Sequence, residues 1–180
     1  MAPPAYKVAG NGATNTRRQY TPTRKNIMPT IIFDLDGTLA DLTHRLHHIK
    51  DGNKRWDEFF DACDKDKPID PICRLLRMVS EHAYRLVIVS ARSDVVRGKT
   101  IEWLQSNQLP FDQLIMRKAG DYRTDDIVKE EILDRLLAEN HDILFAVDDR
   151  QRVVDMWRRR GITCLQCNAW EEDKVQSPDT

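Results

Sequence analysis

A short apolar run that stops abruptly at two acids constrains this chain more than any other feature. Residues 31–33, Ile-Ile-Phe, are followed by residues 34–38, Asp-Leu-Asp-Gly-Thr. Such a run is typical of a buried strand, so it predicts that the two carboxylates lie at the strand's carboxyl end. In an open parallel α/β sheet that edge is where ligands bind. The alternative is an ordinary strand end followed by an Asp-Gly turn.

The polar residues of this segment have complementary chemistry. Asp34 is placed to attack, because a carboxylate can act as a covalent nucleophile toward phosphorus. Asp36 is placed to move protons, since a second carboxylic acid can protonate a leaving oxygen and later deprotonate water. Gly37 lets the backbone approach a phosphate or turn sharply, and the Thr38 hydroxyl can bond phosphoryl oxygens. The segment therefore predicts phosphoryl chemistry.

Helix and strand patterns alternate along the rest of the chain. Strands are predicted at 86–89, 113–116, 143–147 and 162–165, and helices at 71–83, from 93 or 94 to beyond 104, from 124 or 125 to 139, and at 150–160. This order predicts an α/β fold, a doubly wound parallel sheet with helices on both faces. Residues 42–69 are polar apart from Trp56, Phe59, Phe60 and a few others. They predict a small cap over the site with short helical pieces at 41–49 and 56–63.

Two further strands end in residues that phosphoryl transfer uses. Ser90 follows the run at 86–89, and Asp148 and Asp149 follow the run at 143–147. Cleaving a phosphate monoester is mainly a matter of positioning a dianion and stabilising its charge. Magnesium prefers a few protein oxygens together with water and phosphate oxygens, so Asp148 and Asp149, with Asp34, suit a magnesium site. The alternative for the acid pair is a helix N-cap ahead of 150–160.

Lys129 interrupts a helical face that should otherwise be apolar, and Asp125 lies one turn before it. A charged residue at an inward position needs a partner. Lys129 is therefore predicted to neutralise Asp34 and a bound phosphate, with Asp125 orienting the amine. The alternative is an ordinary ion pair on a solvated helix face.

These residues together resemble the haloacid dehalogenase superfamily of phosphatases. Within it, the chain is most similar to the 3′-phosphatase domain of tailed-phage polynucleotide kinase. The narrower resemblance rests on residues 117–132, RKAGDYRTDDIVKEEI, and on 147–161, VDDRQRVVDMWRRRG. It covers about residues 30–167, and the segment 45–68 is longer and less similar than its counterpart in the family.

The resemblance implies a role for each candidate residue. The catalytic residues would be Asp34, Asp36 and Lys129, and the phosphate would be bound by Thr38, Arg45, Ser90 and Arg92. The Mg²⁺ ligands would be Asp34, Asp36 and Asp148, supported by Asp125 and Asp149. The expected substrate is a 3′-phosphate on a polynucleotide or nucleotide, and end repair of nucleic acid is the expected context. No GxxxxGK[ST] sequence occurs, so kinase activity is not expected.

The length, charge and cysteine content of the chain limit what else can be expected of it. The chain has 180 residues and a net charge of −1, which fits one domain, predicted at 29–170. Residues 1–28 are predicted to be a disordered basic tail that can contact nucleic acid without sequence preference, and 171–180 a flexible tail.

No run is long enough to span a bilayer and no signal peptide is evident, so a cytoplasmic location is expected. The four cysteines include a lone CxxC at 164–167, which predicts packing rather than zinc.

Two other functions fit the same residues. One is an enzyme of the same fold that hydrolyses mononucleotide 5′-phosphates or another small phosphomonoester. The other is a nucleic-acid-binding module that keeps the fold without turnover, against which the intact Asp34 and Asp36 argue. The sequence leaves the oligomeric state open.

Overall fold

The computed structural model describes residues 28–50 and 54–168. The two tails predicted at 1–28 and 171–180 lie outside these residues, apart from Met28. The strands are β1 Thr30–Phe33, β2 Ala40–Asp41, β3 Lys67–Pro68, β4 Arg85–Ser93, β5 Gln113–Arg117, β6 Ile143–Asp148 and β7 Cys164–Gln166. The helices are α1 His47–Lys50, α2 Trp56–Asp61, α3 Asp70–Ser80, α4 Arg97–Ser106, α5 Asp125–Ala138 and α6 Gln151–Arg159.

Five strands form one parallel sheet in the order β5-β4-β1-β6-β7. Strand β1 lies between β4 and β6, with Phe33 opposite Ile88 on one side and Val147 on the other. Because the strands are parallel and in this register, the residues that follow them come to one edge. The predicted α/β class and parallel sheet are confirmed.

The core lies on both faces of the sheet, which explains why its strands appear as continuous apolar runs. Side chains of β1 alternate between the faces: Ile31 and Phe33 pack with residues of α3 and α4, whereas Ile32 packs with residues of α5 and α6. Both clusters are apolar, and both contain residues of β1. The strand that precedes Asp34 is therefore packed on both of its faces.

The segment predicted as a cap is joined at its base by a ribbon of two short strands. Strands β2 and β3 pair antiparallel, with Ala40 opposite Pro68. Between them lie a 3₁₀ turn at Thr43–Arg45, helices α1 and α2, and a second 3₁₀ turn at Ala62–Lys65. Each of the two predicted helical pieces is therefore shorter than expected and is completed by a 3₁₀ turn. Helix α3 also ends earlier than predicted, at Ser80 instead of residue 83.

No helix within 28–50 and 54–168 has both the length and the apolar character needed to cross a bilayer.

In the same described ranges the four cysteines are unpaired thiols. Cys164 is buried in β7, as the packing interpretation of the CxxC segment predicts. Burial raises the pKa of the Cys164 thiol to about 12 and that of Cys167 to about 11, so both stay protonated near neutral pH.

Candidate active site

Asp34 follows β1 directly and is held by its neighbours from β6 and α5. Its backbone N–H donates to the carbonyl of Val147 at 2.9 Å, which fixes the position of the residue beside the end of β6. Lys129 of α5 donates from Nζ to Asp34 Oδ1 at 2.6 Å and to Asp148 Oδ2 at 2.8 Å. All three side chains are buried. Lys129 therefore lies inside the protein as a bridge between two strand-end acids.

Three buried carboxylates meet at this point. One oxygen from each of Asp34, Asp148 and Asp149 lies within 4.8 Å of the others. Lys129 supplies one positive charge to this group of three formal negative charges, so two negative charges remain. Burial raises the pKa of Asp34 well above its ordinary value, opposed by Lys129 and reinforced by the two other acids. Burial and Asp148 raise the pKa of Asp149 to about 6.

These carboxylates fit a divalent cation. Hydrogen bonds from Lys129 use Asp34 Oδ1 and Asp148 Oδ2, and the Thr38 hydroxyl donates to Asp149 Oδ1 at 3.2 Å. Asp34 and Asp149 each keep their second oxygen clear of these contacts, whereas Asp148 Oδ1 accepts the backbone N–H of Arg150 at 3.3 Å. Buried oxygens with excess negative charge are the ligands that Mg²⁺ or Ca²⁺ prefers, whereas imidazole and thiolate, which zinc favours, are not part of the group.

Asp36 lies apart from that cluster, between two arginines. Arg45 donates from Nη2 to Asp36 Oδ1, and Arg92 donates from Nη2 to the same oxygen at 2.6 Å and from Nε to Oδ2 at 3.1 Å. Burial acts to raise the pKa of Asp36, but the Arg92 and Arg45 guanidiniums outweigh it and hold that pKa well below its usual range. The carboxylate of Asp36, which was predicted to bind the metal ion, bonds these arginines in the structure, and the acid cluster consists of Asp34, Asp148 and Asp149.

Asp66 holds the same two arginines from the opposite side and was missed by the sequence analysis. Arg45 donates to it from Nε and Nη2, both at 2.7 Å, and Arg92 donates from Nη2 at 2.9 Å. The side chains of Asp66, Arg45 and Arg92 have no exposed surface. Two cations and two carboxylates, counting Asp36, are therefore balanced in one buried group.

Residues of the cap segment complete the support of Arg45. The Arg45 guanidinium lies over the Phe59 ring at 4.2 Å and donates to the Phe59 carbonyl at 3.3 Å. The indole N–H of Trp103 in α4 donates to the Asp66 carbonyl at 2.7 Å, and this contact attaches the cap segment to the core. The predicted phosphate-binding arginines are therefore rigid side chains, fixed by both the core and the cap segment.

The other predicted residues of the site have different surroundings. Ser90 is a buried residue of β4, and its Oγ accepts the backbone N–H of Arg92 at 3.1 Å. The Asp125 carboxylate accepts from Arg117 Nη2 at 2.5 Å and from Arg150 Nη1. It was predicted to orient Lys129, but it binds Arg117, the last residue of β5, and Arg150 on the loop that follows β6. Lys129 is oriented by Asp148 instead.

A fold of this kind is shared with solved phosphatases. A hydrolase of the haloacid dehalogenase-like family from Streptococcus pneumoniae has a TM-score of 0.56 and 16% identity, covering 82% of this chain and 89% of its own. A class C acid phosphatase from Bacillus anthracis has a TM-score of 0.62 and 16% identity, covering 87% of this chain and 75% of its own. Together with the sheet order, these likenesses show the haloacid dehalogenase fold.

A match to a protein-family model places the chain in a narrower family within this fold. Residues 28–171 match the model of the polynucleotide kinase PNKP phosphatase domain, so the chain belongs to that family of phosphatase domains. A solved "Pnkp1/Rnl/Hen1 complex" contains a chain with a TM-score of 0.71 and 30% identity, covering 87% of this chain and 52% of that one. A protein of Autographa californica nuclear polyhedrosis virus, named "Putative bifunctional polynucleotide kinase/RNA ligase", is 25% identical over 145 residues.

This chain is shorter than those relatives. It spans about half of the matched chain of the complex and 20% of the viral protein. The similarity therefore concerns only a part of each larger protein.

Proposed function

We propose that this protein is a Mg²⁺-dependent phosphomonoesterase that forms an aspartyl-phosphate on Asp34 and removes 3′-phosphates from polynucleotide ends. The observation that carries the proposal is the meeting of Asp34, Lys129, Asp148 and Asp149 at the carboxyl edge of the sheet. A nucleophilic acid needs a cationic neighbour to accept a phosphate dianion, and Lys129 provides one.

In the first step an oxygen of the Asp34 carboxylate bonds to phosphorus while the bond from phosphorus to the ester oxygen breaks. Asp36 donates its proton to the departing oxygen. In the second step water attacks phosphorus, Asp36 takes the proton, and the Asp34 carboxylate is restored as inorganic phosphate leaves. Lys129 offsets the charge at Asp34 throughout. Ser90 and Thr38 are assigned to bind the phosphate through their hydroxyl groups.

Arg45 and Arg92 connect phosphate binding with the protonation of Asp36. Both guanidiniums bind the Asp36 carboxylate when no phosphate is present and so keep its pKa low. A phosphate dianion attracts the same two cations, and its own negative charge disfavours ionisation of the neighbouring acid. Phosphate binding therefore raises the pKa of Asp36 toward the range that a proton donor needs.

Asp34, Asp148 and Asp149 are the side chains that would hold Mg²⁺. When bound, the ion would supply positive charge against the phosphoryl oxygens. Three buried carboxylates share Lys129 as the cation that bonds two of them, and this imbalance supports the assignment.

The choice of substrate rests on the family and its relatives. The matched family is named for polynucleotide kinase, and two of the similar solved structures are called a Pnkp1/Rnl/Hen1 complex and a Pnkp1/Rnl/Hen1 RNA repair complex. These names favour a phosphorylated polynucleotide end as substrate, and the resemblance seen in the sequence implies that the phosphate is at the 3′ position. A small phosphomonoester such as a nucleoside 5′-monophosphate is the alternative within the same fold.

A substrate panel tests the proposal. Phosphate release should be measured from a 3′-phosphorylated oligonucleotide, the same strand with a 5′-phosphate, and nucleoside 3′- and 5′-monophosphates. Release should depend on Mg²⁺ and be fastest on the 3′-phosphorylated strand. Asp34→Asn should remove turnover, whereas Asp64→Asn, a change of an exposed acid, should not.

Mass spectrometry of acid-quenched wild-type protein should detect a phosphoryl group on the peptide that contains Asp34. Turnover by the Asp34→Asn variant would rule out the covalent mechanism. Faster release from 5′-monophosphates would instead favour the small-molecule phosphatase. Binding of nucleic acid without release from any substrate would favour a module without turnover.

A further inference from the structure

Two exposed apolar side chains lie at the edge of the sheet that carries the site. Tyr122 is 91% exposed and Val95 is 76% exposed, the two highest values for large apolar or aromatic side chains within 28–50 and 54–168. Exposed single apolar residues are common, but a tyrosine that packs on so little protein is unusual because its ring gains almost nothing from folding. Its position therefore needs another explanation.

The loop that presents Tyr122 is firmly held. Arg117 donates from Nη1 to the carbonyls of Asp121 at 3.0 Å and Arg123 at 2.5 Å. Its Nε donates at 2.7 Å to the carbonyl of Ala91, which lies in β4. Gly120 has φ of +79°, a left-handed conformation that lets the loop turn. An exposed ring on so constrained a backbone loses little entropy when a ligand stacks on it.

The loops of Tyr122 and Val95 are joined to each other. Asp94 accepts the backbone N–H of Ala119 through Oδ1 at 2.9 Å. The two loops follow β4 and β5, so they leave the sheet at the carboxyl edge where Ser90 and Arg92 lie. The Arg123 guanidinium, next to the tyrosine in sequence, is paired with Asp121 and Glu131. Lys118 at the start of the same loop is exposed, so the loop pair combines an aromatic face with this lysine on the rim of the site.

We propose that Tyr122, together with Val95, stacks on a nucleobase of the strand whose 3′-phosphate enters the site. This inference rests on the proposed function. Every base has a π-face, so stacking on a tyrosine is tolerant of sequence, and the exposed Lys118 suits the phosphodiester backbone. The phosphate pocket would bind the strand end, and the loop would bind the strand behind it.

The test compares strands with and without bases. One 3′-phosphorylated oligonucleotide carries normal bases, and a matched strand carries abasic sugars at its last positions with the same phosphates. Tyr122→Ala should lower kcat/KM on the normal strand by about tenfold, mainly through KM, because stacking stabilises the bound ground state and transition state alike. It should leave the abasic strand unchanged, and Tyr122→Phe should behave as wild type.

Met78→Ala is the matched control, since Met78 is also exposed, at 64%, but lies on α3. Equal loss on both strands by Tyr122→Ala would show a structural role and overturn the inference, as would no loss on either. Strand binding should also be measured by fluorescence anisotropy. If wild type releases no phosphate yet binds normal strands through Tyr122, the proposed function fails while the stacking surface stands.

Self-association of the protein should be followed by light scattering in the same variants. Association that Tyr122→Ala abolishes, without any effect on strand binding, would show that the rim is an interface between copies and overturn the inference.

Discussion

Lys129 and Asp34 form an ion pair in the interior, 2.6 Å from Nζ to Oδ1, with side chains only 3% and 6% exposed. Burial alone acts to lower the pKa of Lys129, but Asp148 and Asp34 reverse this and raise it well above its ordinary value. The lysine is therefore a fixed positive charge at any ordinary pH. A site that binds phosphate dianions needs such a permanent positive charge.

Removing this charge should destabilise the protein strongly. In Lys129→Met, Asp34 and Asp148 stay buried without their cation, so we expect the free energy of unfolding to fall by roughly 3–5 kcal/mol in metal-free buffer. Urea denaturation followed by circular dichroism measures this change. Lys99→Met is the matched control because its ion pair with Asp61, at 2.5 Å, lies at the surface. Comparable losses in the two variants would contradict a buried role for Lys129.

Asp66 should matter for activity although it is not predicted to touch phosphate. In Asp66→Asn the carboxylate that fixes Arg45 and Arg92 is lost, and a small displacement of such positioning groups can cost roughly 10²-fold in rate. We therefore expect kcat/KM on a 3′-phosphorylated oligonucleotide to fall by about that factor. Asp64→Asn, two residues earlier and exposed, should retain wild-type activity. Full activity in Asp66→Asn would mean that the arginines hold their places without it.

Magnesium should stabilise the folded protein through the acid cluster. At a concentration of 100 times Kd, a ligand specific for the native state adds about 2.7 kcal/mol, so Tm should rise by roughly 5–10 °C. Differential scanning fluorimetry with and without MgCl₂ measures the shift. Asp148→Asn should abolish it, whereas Asp134→Asn, a change of an exposed acid on α5, should not. An unchanged shift in Asp148→Asn would place the ion elsewhere.

His141 should make stability depend on pH far from the site. Its pKa is lowered from 6.5, first by burial and then by Arg85, with Glu139 opposing. The unfolded chain therefore binds more protons between the folded pKa and about 6.5. Stability should rise with pH across that window, stay level above it, and fall as pH decreases toward the folded pKa.

His141→Gln should lose this part of the pH dependence in urea denaturation series. The glutamine amide can still serve Thr30, whose Oγ1 lies 3.0 Å from Nδ1 of His141. The same slope in wild type and variant would assign the pH dependence to other groups.

The sequence predicted the parts of the site that strand ends and helix periodicity determine. Asp34, Ser90 and Asp148 each follow an apolar run, so parallel pairing brings them to one edge. Lys129 was recognised because a charge interrupts the buried stripe of α5. These signals depend on residues that are close together in the sequence, so they can be recognised before the fold is known.

Other contacts could not be predicted because they depend on side chains that meet over long distances. Asp64 and Asp66 look alike in a polar segment, yet only Asp66 is buried against Arg45 and Arg92. Asp125 lies one turn from Lys129, but its carboxylate binds Arg117 at the end of β5 and Arg150 after β6. Strands β2 and β3 have two residues each, which is too few to show a period.

The ribbon of β2 and β3 also has an evolutionary consequence. It fastens both ends of the cap segment at one neck, so the chain between Asp41 and Lys67 can grow or shrink without altering the spacing of the central strands. Doubling a loop costs only about 0.6 kcal/mol in closure entropy. The neck therefore lets residues 46–58 vary in length by insertion and deletion, and substrate preference with them, while Arg45, Phe59 and Asp66 of the same segment keep their places in the site.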